Sequence, residues 1–192
     1  MSDKKRTSRD KLLDVTFEEV YMYGYCGAAT ATILKKAGVP RGSMYHHFES
    51  KKALVLAMIE ERLVPKVREF FDFEIKSDMS ALRMIEYATK KISKNKMLIA
   101  HGCPLHRLMF EMGALDEDIA TACEKEFEHL VGNFEKVLIL GMEAGEIRQT
   151  DSKSLAEFFI ASSWGILSRT PQSSSKEQFL KDVEHIMIAL YV

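Results

Sequence analysis

The residues best suited to chemistry lie in one short stretch, where several kinds of hydrogen-bonding side chain follow one another. Guanidinium, hydroxyl, phenol and imidazole groups can bind phosphate oxygens and base edges, and glycine lets the backbone approach closely. The residues concerned are Arg41, Gly42, Ser43, Tyr45 and His46. Met44 and Phe48 are four positions apart, so a helix from Arg41 to Phe48 would carry both on its opposite face. The stretch therefore predicts a short helix that presents its polar side to nucleic acid.

A second helix is predicted immediately before this stretch, over Thr30 to Ala37. Thr30 is expected to cap its N-terminus and is also a candidate DNA contact. Gly38 should end the helix in a left-handed conformation, and Val39-Pro40 should then impose an extended step. Two helices joined by a tight glycine-containing turn form a helix-turn-helix, whose second helix lies in the major groove of DNA.

A third helix should begin after Ser50, with Lys51 in its first turn. Lys51 is expected to contact a DNA phosphate at this positive helix end. Farther along the same helical pattern, Pro65 removes a backbone hydrogen bond and clashes with the preceding turn. We therefore expect a kink or break at Arg62 to Leu63. It would be either a pivot between the DNA-binding part and the rest of the chain or a static bend.

Three sequence blocks in this region resemble the signature of the TetR family of bacterial transcriptional regulators. They are Ala37-Gly38-Val39, Gly42-Ser43-Met44-Tyr45-His46-His47-Phe48 and Ser50-Lys51-Lys52-Ala53-Leu54, within a resemblance that covers residues 8 to 55. Two positions depart from the pattern, since Leu34 replaces a small residue and Ala31 offers no side chain for DNA contact. The resemblance implies DNA binding by the helix-turn-helix, a homodimer formed through the last two helices, and a small-molecule site in the middle helices.

The composition indicates an all-α protein. The 192 residues are 46% hydrophobic, with only four prolines and ten glycines, so the chain can bury a sizeable core. We predict a helix-turn-helix DNA-binding domain at residues 1–53 and a helical ligand-binding and dimerisation domain at residues 54–192. The first part holds ten Lys/Arg against six Asp/Glu, and the second holds 17 against 22. A basic end on an acidic body fits electrostatic binding to DNA.

The last two predicted helices, residues 151–168 and 176–190, are the candidate dimer interface. Small residues between Ala161 and Gly165 would let two helices pack closely, and Trp164 could anchor an interface or line a pocket. The alternative is that these residues pack within one monomer. The family resemblance implies a four-helix bundle across a two-fold axis. Two recognition helices about 34 Å apart would then read a palindromic operator, an inverted repeat in double-stranded DNA.

Side chains of the middle helices are the candidate lining of an effector site. They are Met84, His106, Met109, Phe110, Phe134, Met142, Phe159 and Trp164. Methionine adapts its shape and is common at permissive binding surfaces, so a largely apolar small-molecule effector is expected. Each of these residues also fits an ordinary core position.

Cys103 offers a different way to sense a signal. It stands just before a predicted helix, whose N-terminus would lower the pKa of the thiol. His101 and His106 are close in sequence, but a Cys-x-x-His pattern alone lacks a second pair of ligands, and no metal site is predicted. A thiol- or metal-responsive regulator remains one alternative, and a non-DNA interaction module remains another.

The sequence offers no catalytic constellation. Nucleophile elbows, phosphate-cradling glycine loops and HExxH are all absent, so we predict neither an enzyme nor a cofactor. The N-terminus does not resemble a signal peptide, and no apolar run reaches the ~20 residues of a membrane span, so a cytoplasmic protein is expected. The resulting interpretation is a ligand-responsive repressor that binds a palindromic operator as a homodimer and releases it on binding a small molecule.

Overall fold

The computed structural model describes residues 6–76, 78–168 and 175–190, and within these ranges it contains helices and irregular segments but no β-strand. The α-helices are α1 Ser8–Gly27, α2 Thr30–Ala37, α3 Arg41–His47, α4 Lys51–Met58, α5 Val64–Phe71, α6 Ala81–Ser93, α7 Lys96–His101, α8 Pro104–Met112, α9 Glu117–Glu143, α10 Ser152–Leu167 and α11 Lys176–Met187. A π-helical turn, Ile59–Leu63, joins α4 to α5, and a 3-10 turn, Ile188–Leu190, follows α11. The all-α prediction is confirmed.

The chain divides into two compact units. The first comprises the described residues up to Lys66 together with Arg107–Glu124, and the second comprises Val67–His106 and the described residues from Lys125 onward. Helices α5, α8 and α9 therefore each contribute residues to both units. The boundary predicted after residue 53 separates a DNA-binding domain from a ligand-binding domain, whereas these two units are defined by how compactly the chain packs. The predicted boundary therefore stays a prediction.

The core of the first unit is built on α1. Leu12 and Leu13 of this helix are fully buried, together with Ile33 of α2, Met44 of α3 and Leu54 of α4. Helices α2, α3 and α4 all pack against α1. Burial of one apolar side chain from each short helix compensates for the low intrinsic stability of helices of seven or eight residues.

Helix α1 is interrupted at Gly24. Gly24 has φ 76° and ψ 175°, and a further helical turn follows to Gly27. A positive φ is accessible to glycine at little cost because glycine has no Cβ. The interruption frees the backbone N–H groups that follow it from the regular helical pattern.

The turn between α2 and α3 has the predicted form. Gly38 adopts the left-handed conformation at φ 62° and ψ 36°, and Pro40 precedes α3 in an extended conformation. The predicted cap at Thr30 is wrong. Ala29 occupies the cap position, and its carbonyl accepts from the N–H groups of Thr32 and Ile33. The chain enters the helix one residue earlier than a threonine cap would require.

The predicted disturbance before Pro65 is a π-helical turn rather than a break. The wide turn spans Ile59–Leu63, and α5 continues from Val64 with Pro65 in its first turn, where its missing N–H is tolerated. Ion pairs fix the turn to α1. Arg9 donates from Nη1 and Nη2 to the two carboxylate oxygens of Glu61 at 2.7 and 2.5 Å, and Arg62 Nε donates to Asp14 at 2.7 Å.

The second unit is organised around aromatic side chains. Phe134 of α9 is fully buried, with its ring 4.5 Å from that of Phe73 and 4.6 Å from that of Phe159. Helix α11 packs against both α6 and α10. No helix in the described residues has the length and apolar character that a membrane span requires.

Candidate nucleic-acid interface and effector site

Helix α3 presents its polar side to solvent. Met44 is its one buried residue and anchors it to the core, whereas Arg41, Gly42, Tyr45 and His46 are exposed. Ser43 is partly exposed. The predicted separation of an apolar anchor from a polar outer face is therefore present.

The guanidinium of Arg41 remains available for a ligand. It lies over the ring of Tyr45, 5.7 Å from the centroid, and within the described chain it makes no ion pair or hydrogen bond. Stacking on an aromatic ring orients a guanidinium while leaving its N–H donors in the plane free. A donor fork held in this way suits bidentate binding to a base edge or a phosphate.

The other predicted DNA contacts lie on either side of α3. Thr30 is partly exposed at the start of α2. Ser50 caps α4 by accepting from the Ala53 N–H, which confirms the predicted start of that helix. Lys51 Nζ donates to the Tyr25 carbonyl at 2.5 Å and lies 4.5 Å from the centroid of the Tyr25 ring. Partial burial lowers the pKa of Lys51.

Sequence reasoning missed an acidic contact to this region. Both carboxylate oxygens of Glu111, in the last turn of α8, accept backbone N–H groups, from Tyr25 at 2.7 Å and from Cys26 at 2.8 Å. Lys52 of α4 bridges Asp116 at 2.9 Å and Asp118 at 2.5 Å. The sequence carries no local signal for these contacts. Glu111 is 86 residues from Tyr25 and 85 residues from Cys26 along the chain.

Most of the predicted effector-site residues of the second unit are buried. They are Met84, Phe134, Met142, Phe159 and Trp164. Met109, which belongs to the first unit, is partly buried. Phe110 does not fit the prediction. Its side chain is 88% exposed, so it lies on the surface of the described chain instead of lining an interior pocket. Residues 109 and 110 follow each other on α8, so they point in different directions around the helix.

His106 and Trp164 form the most distinctive polar feature of this group. Their rings stack 5.1 Å apart, and Phe127 lies 5.2 Å from the Trp164 ring. Ser168 Oγ donates to the Trp164 carbonyl at 2.8 Å and lies 3.0 Å from His106 Nδ1. Because the hydroxyl proton is engaged, Ser168 Oγ accepts from a protonated Nδ1. Burial lowers the pKa of His106, so the neutral ring leaves Nε2 as an acceptor.

The indole N–H of Trp164 is a buried donor. Trp164 is buried, and its Nε1 makes no hydrogen bond to the described residues. An unpaired buried N–H costs about 1–3 kcal/mol, so a group of this kind calls for an explanation. The structure thus places a free donor and a free acceptor on two stacked rings. Neither feature could be read from the sequence, which marks both residues only as candidates.

The pKa of the Cys103 thiol is raised, so the prediction that the helix start would lower it is wrong. Cys103 is buried, and burial raises its pKa to about 12, although the backbone N–H groups of Leu105 and His106 act in the opposite sense. Removal of solvent therefore outweighs the start of the helix. A neutral, covered thiol reacts slowly with oxidants, which disfavours the thiol-responsive alternative. No cluster of three metal-ligating side chains occurs among the residues the structure describes.

An exposed polar helix that follows a tight glycine-containing turn and is anchored on a small helical core is the arrangement of helix-turn-helix DNA-binding proteins. The profile described as "Bacterial regulatory proteins, tetR family" matches residues 12–58, and the one described as "Tetracyclin repressor-like, C-terminal domain" matches residues 80–179. The chain belongs to the TetR family of transcriptional regulators. It is a DNA-binding regulator and not an enzyme, as predicted.

Individual relatives agree with this assignment. The HTH-type transcriptional repressor DhaR of Mycobacterium sp. (strain GP1) is 31% identical over 161 residues, which cover 82% of this chain and 80% of DhaR. An HTH-type transcriptional regulator in the lacX 3' region of Lactococcus lactis subsp. lactis is 30% identical, and the match covers 65% of each protein. The crystal structure of regulatory protein TetR from Rhodobacter sphaeroides has the same fold, with a TM-score of 0.85 and 23% identity over 95% of this chain and 98% of that one.

Proposed function

We propose that this regulator is a repressor that binds a palindromic operator as a homodimer and releases it on binding a small molecule. The observation that carries the proposal is the exposed polar side of α3, with the free guanidinium of Arg41 on it. A single seven-residue helix can contact only a few base pairs, so specific recognition needs a second copy. The relative DhaR is named a repressor, which supports this sign of regulation.

The outer face formed by α10 and α11 is the proposed dimer interface. Phe158 of α10 is 51% exposed, and Ile188, in the turn after α11, is 64% exposed. Ala161 carries only a methyl group and Gly165, one turn later on α10, carries no side chain. A groove of about 430 Å³ lies along the two packed helices and is lined by Ser162, Gly165, Ile166, Asp182, His185 and Ile186. Exposed apolar side chains beside small ones allow two copies to pack closely across a two-fold axis.

The proposed effector binds at the stacked rings of His106 and Trp164. The aromatic surroundings favour a largely apolar molecule. The free indole N–H favours a ligand with a hydrogen-bond acceptor, and the free His106 Nε2 favours one with a donor. The aromatic rings that pack on Trp164, those of Phe127 and neutral His106, carry no charge, which favours a neutral ligand over an anion.

Binding and release can be tested with the complete chain and duplex fragments from upstream of its own gene. A fragment with an inverted repeat should bind with Kd about 10⁻⁸ M or tighter at physiological salt, and a scrambled fragment should bind at least about a thousandfold more weakly. Neutral and anionic aromatic compounds are then added to the complex. The neutral compounds should release the DNA and change the fluorescence of Trp164, which is the chain's one tryptophan.

A substitution that keeps the ring but removes the donor provides the control. Trp164→Phe should bind the operator as the wild type does but should require about tenfold more of the same compound for release. Equal binding of the scrambled and the inverted-repeat fragments would contradict the regulator proposal. Equal release from the wild type and from Trp164→Phe would contradict the effector site alone.

A further inference from the structure

The segment Arg107–Glu124 belongs to the first unit, which contains the helix-turn-helix. The last residues of α8 and the first residues of α9 form one compact unit with α1 to α4, although α8 begins and α9 ends in the other unit. Any contact between this segment and helices α1 to α4 therefore lies inside one unit. Glu111, Asp116 and Asp118 make such contacts.

The carboxylate of Glu111 serves as a cap for the turn after the interruption of α1. Because Gly24 leaves helical geometry, the N–H groups of Tyr25 and Cys26 have no regular helical partner. Glu111 accepts one of them on each oxygen, at 2.7 and 2.8 Å. Hydrogen bonds to a charged acceptor are roughly twice as strong as neutral ones.

Gly24 leaves room for this carboxylate. A Cβ atom at position 24 would lie 2.3 Å from Glu111 Oε2, which is far inside van der Waals contact. The positive φ of Gly24 independently disfavours a side chain there. The backbone conformation and the space at this corner thus both match a carboxylate placed against it.

Lysine side chains of α4 hold the same corner from the other side. Lys51 Nζ donates to the Tyr25 carbonyl, so Tyr25 is bound through both its N–H and its C=O. Lys52 Nζ pairs with Asp116 and Asp118 on the segment that carries Glu111. The corner lies just before α2, and these lysines lie just after α3, so the contacts tie together both ends of the helix-turn-helix.

We propose that Glu111 is a positioning residue, which sets the orientation of α3 through the corner at Gly24 to Cys26. The inference rests on the proposed function, because it concerns operator binding by the same protein. Glu111 lies in the last turn of α8, so the cap comes from a segment outside the helix-turn-helix that it orients.

The test uses Glu111→Gln in the complete chain, with Glu117→Gln as the matched control. The control variant removes the same charge from the same segment. Glu117 itself is exposed and makes no ion pair among the described residues. Glu111→Gln should weaken operator binding about tenfold, because an amide oxygen replaces a carboxylate that accepts two N–H bonds. Glu117→Gln should stay within about twofold. The dependence of binding on salt should keep its slope, because no phosphate contact is removed.

A measurement without DNA separates this inference from the proposed function. In ¹⁵N-labelled protein, the amide signals of Tyr25 and Cys26 should move and exchange faster in Glu111→Gln, while the signals of α10 and α11 stay in place. Displaced amides with operator affinity within about twofold of the wild type would overturn the positioning role. Unmoved amides would overturn the contact itself. A wild-type chain that binds no operator would contradict the proposed function, whereas the amide signals would still report on the contact.

Glu111→Asp is the second variant, for use if Glu111→Gln does not fold. It keeps the charge but shortens the side chain by one methylene, so the carboxylate cannot stay within hydrogen-bond distance of both N–H groups. A loss of operator affinity of about tenfold, with an unchanged melting temperature, would support the positioning role. Wild-type affinity with displaced amide signals of Tyr25 and Cys26 would overturn it.

Discussion

Replacing Arg41 with alanine should remove about 1–3 kcal/mol of discrimination between the operator and a half-site variant, which corresponds to about fivefold to about 150-fold in the ratio of the two Kd values. The guanidinium is exposed, unpaired within the described chain and oriented by Tyr45. A donor fork in this position forms bidentate hydrogen bonds to a guanine edge more readily than to any other base. The measurement is a competition titration with operator and variant duplexes at one fixed salt concentration.

Lys51→Ala provides the contrasting control. Lys51 gives one N–H to the Tyr25 carbonyl and should act on phosphate with the other two, so its loss should weaken binding about equally on all sequences and reduce the salt slope by about 1. Arg41→Ala should instead bring the affinities for the operator and the variant closer together. A uniform loss in Arg41→Ala, or relaxed specificity in Lys51→Ala, would show that the two roles are misassigned.

Replacing Arg68 with alanine should lower the free energy of unfolding by about 2–3 kcal/mol. Arg68 donates from Nε and Nη2 to both oxygens of Glu126, at 2.7 to 3.2 Å. The Glu126 side chain is only 3% exposed, so loss of the guanidinium would leave a carboxylate with little access to water. Because the arginine itself is partly exposed, the loss should fall below that of a fully buried pair.

Urea unfolding of the complete chain measures this change. Arg83→Ala is the matched control, because Arg83 is exposed and its side chain makes no ion pair in the described structure. Its effect should stay within about 0.5 kcal/mol. Adding Glu126→Leu to Arg68→Ala should recover part of the lost stability, since the unpaired charge is removed. Equal stability of Arg68→Ala and Arg83→Ala would contradict the role given to this pair.

The elements that the sequence predicted well are those fixed by local chemistry. The left-handed end of α2 at Gly38, the extended Pro40 and the cap at Ser50 depend on residues within a few positions of each other. The spacing of Met44 and the polar side chains likewise determines which side of α3 is outward. The missed cap at Thr30 shows the limit of this reasoning, because a helix start can shift by one residue when a neighbouring carbonyl suffices.

The features that the sequence could not supply depend on distant packing. The thiol pKa of Cys103 is raised because other segments exclude solvent, which outweighs its place before α8. Pro65 predicted a disturbance at the right place, but the ion pairs of Arg62 and Glu61 with α1 hold the chain in a continuous π-helical turn. The exposure of Phe110 and the contacts of Glu111 also follow from tertiary structure alone.

The most direct test of the account is a footprint of the wild-type chain on the DNA upstream of its own gene, combined with the mass of the complex in solution. We expect two protected half-sites related by two-fold symmetry, with centres about one helical turn apart or a little more, and an even number of chains per operator. At the lowest concentration that fully protects the operator with the wild type, Arg41→Ala should lose protection at both half-sites together. A single protected half-site bound by one chain, or full protection by Arg41→Ala at that concentration, would contradict recognition by a pair of α3 helices.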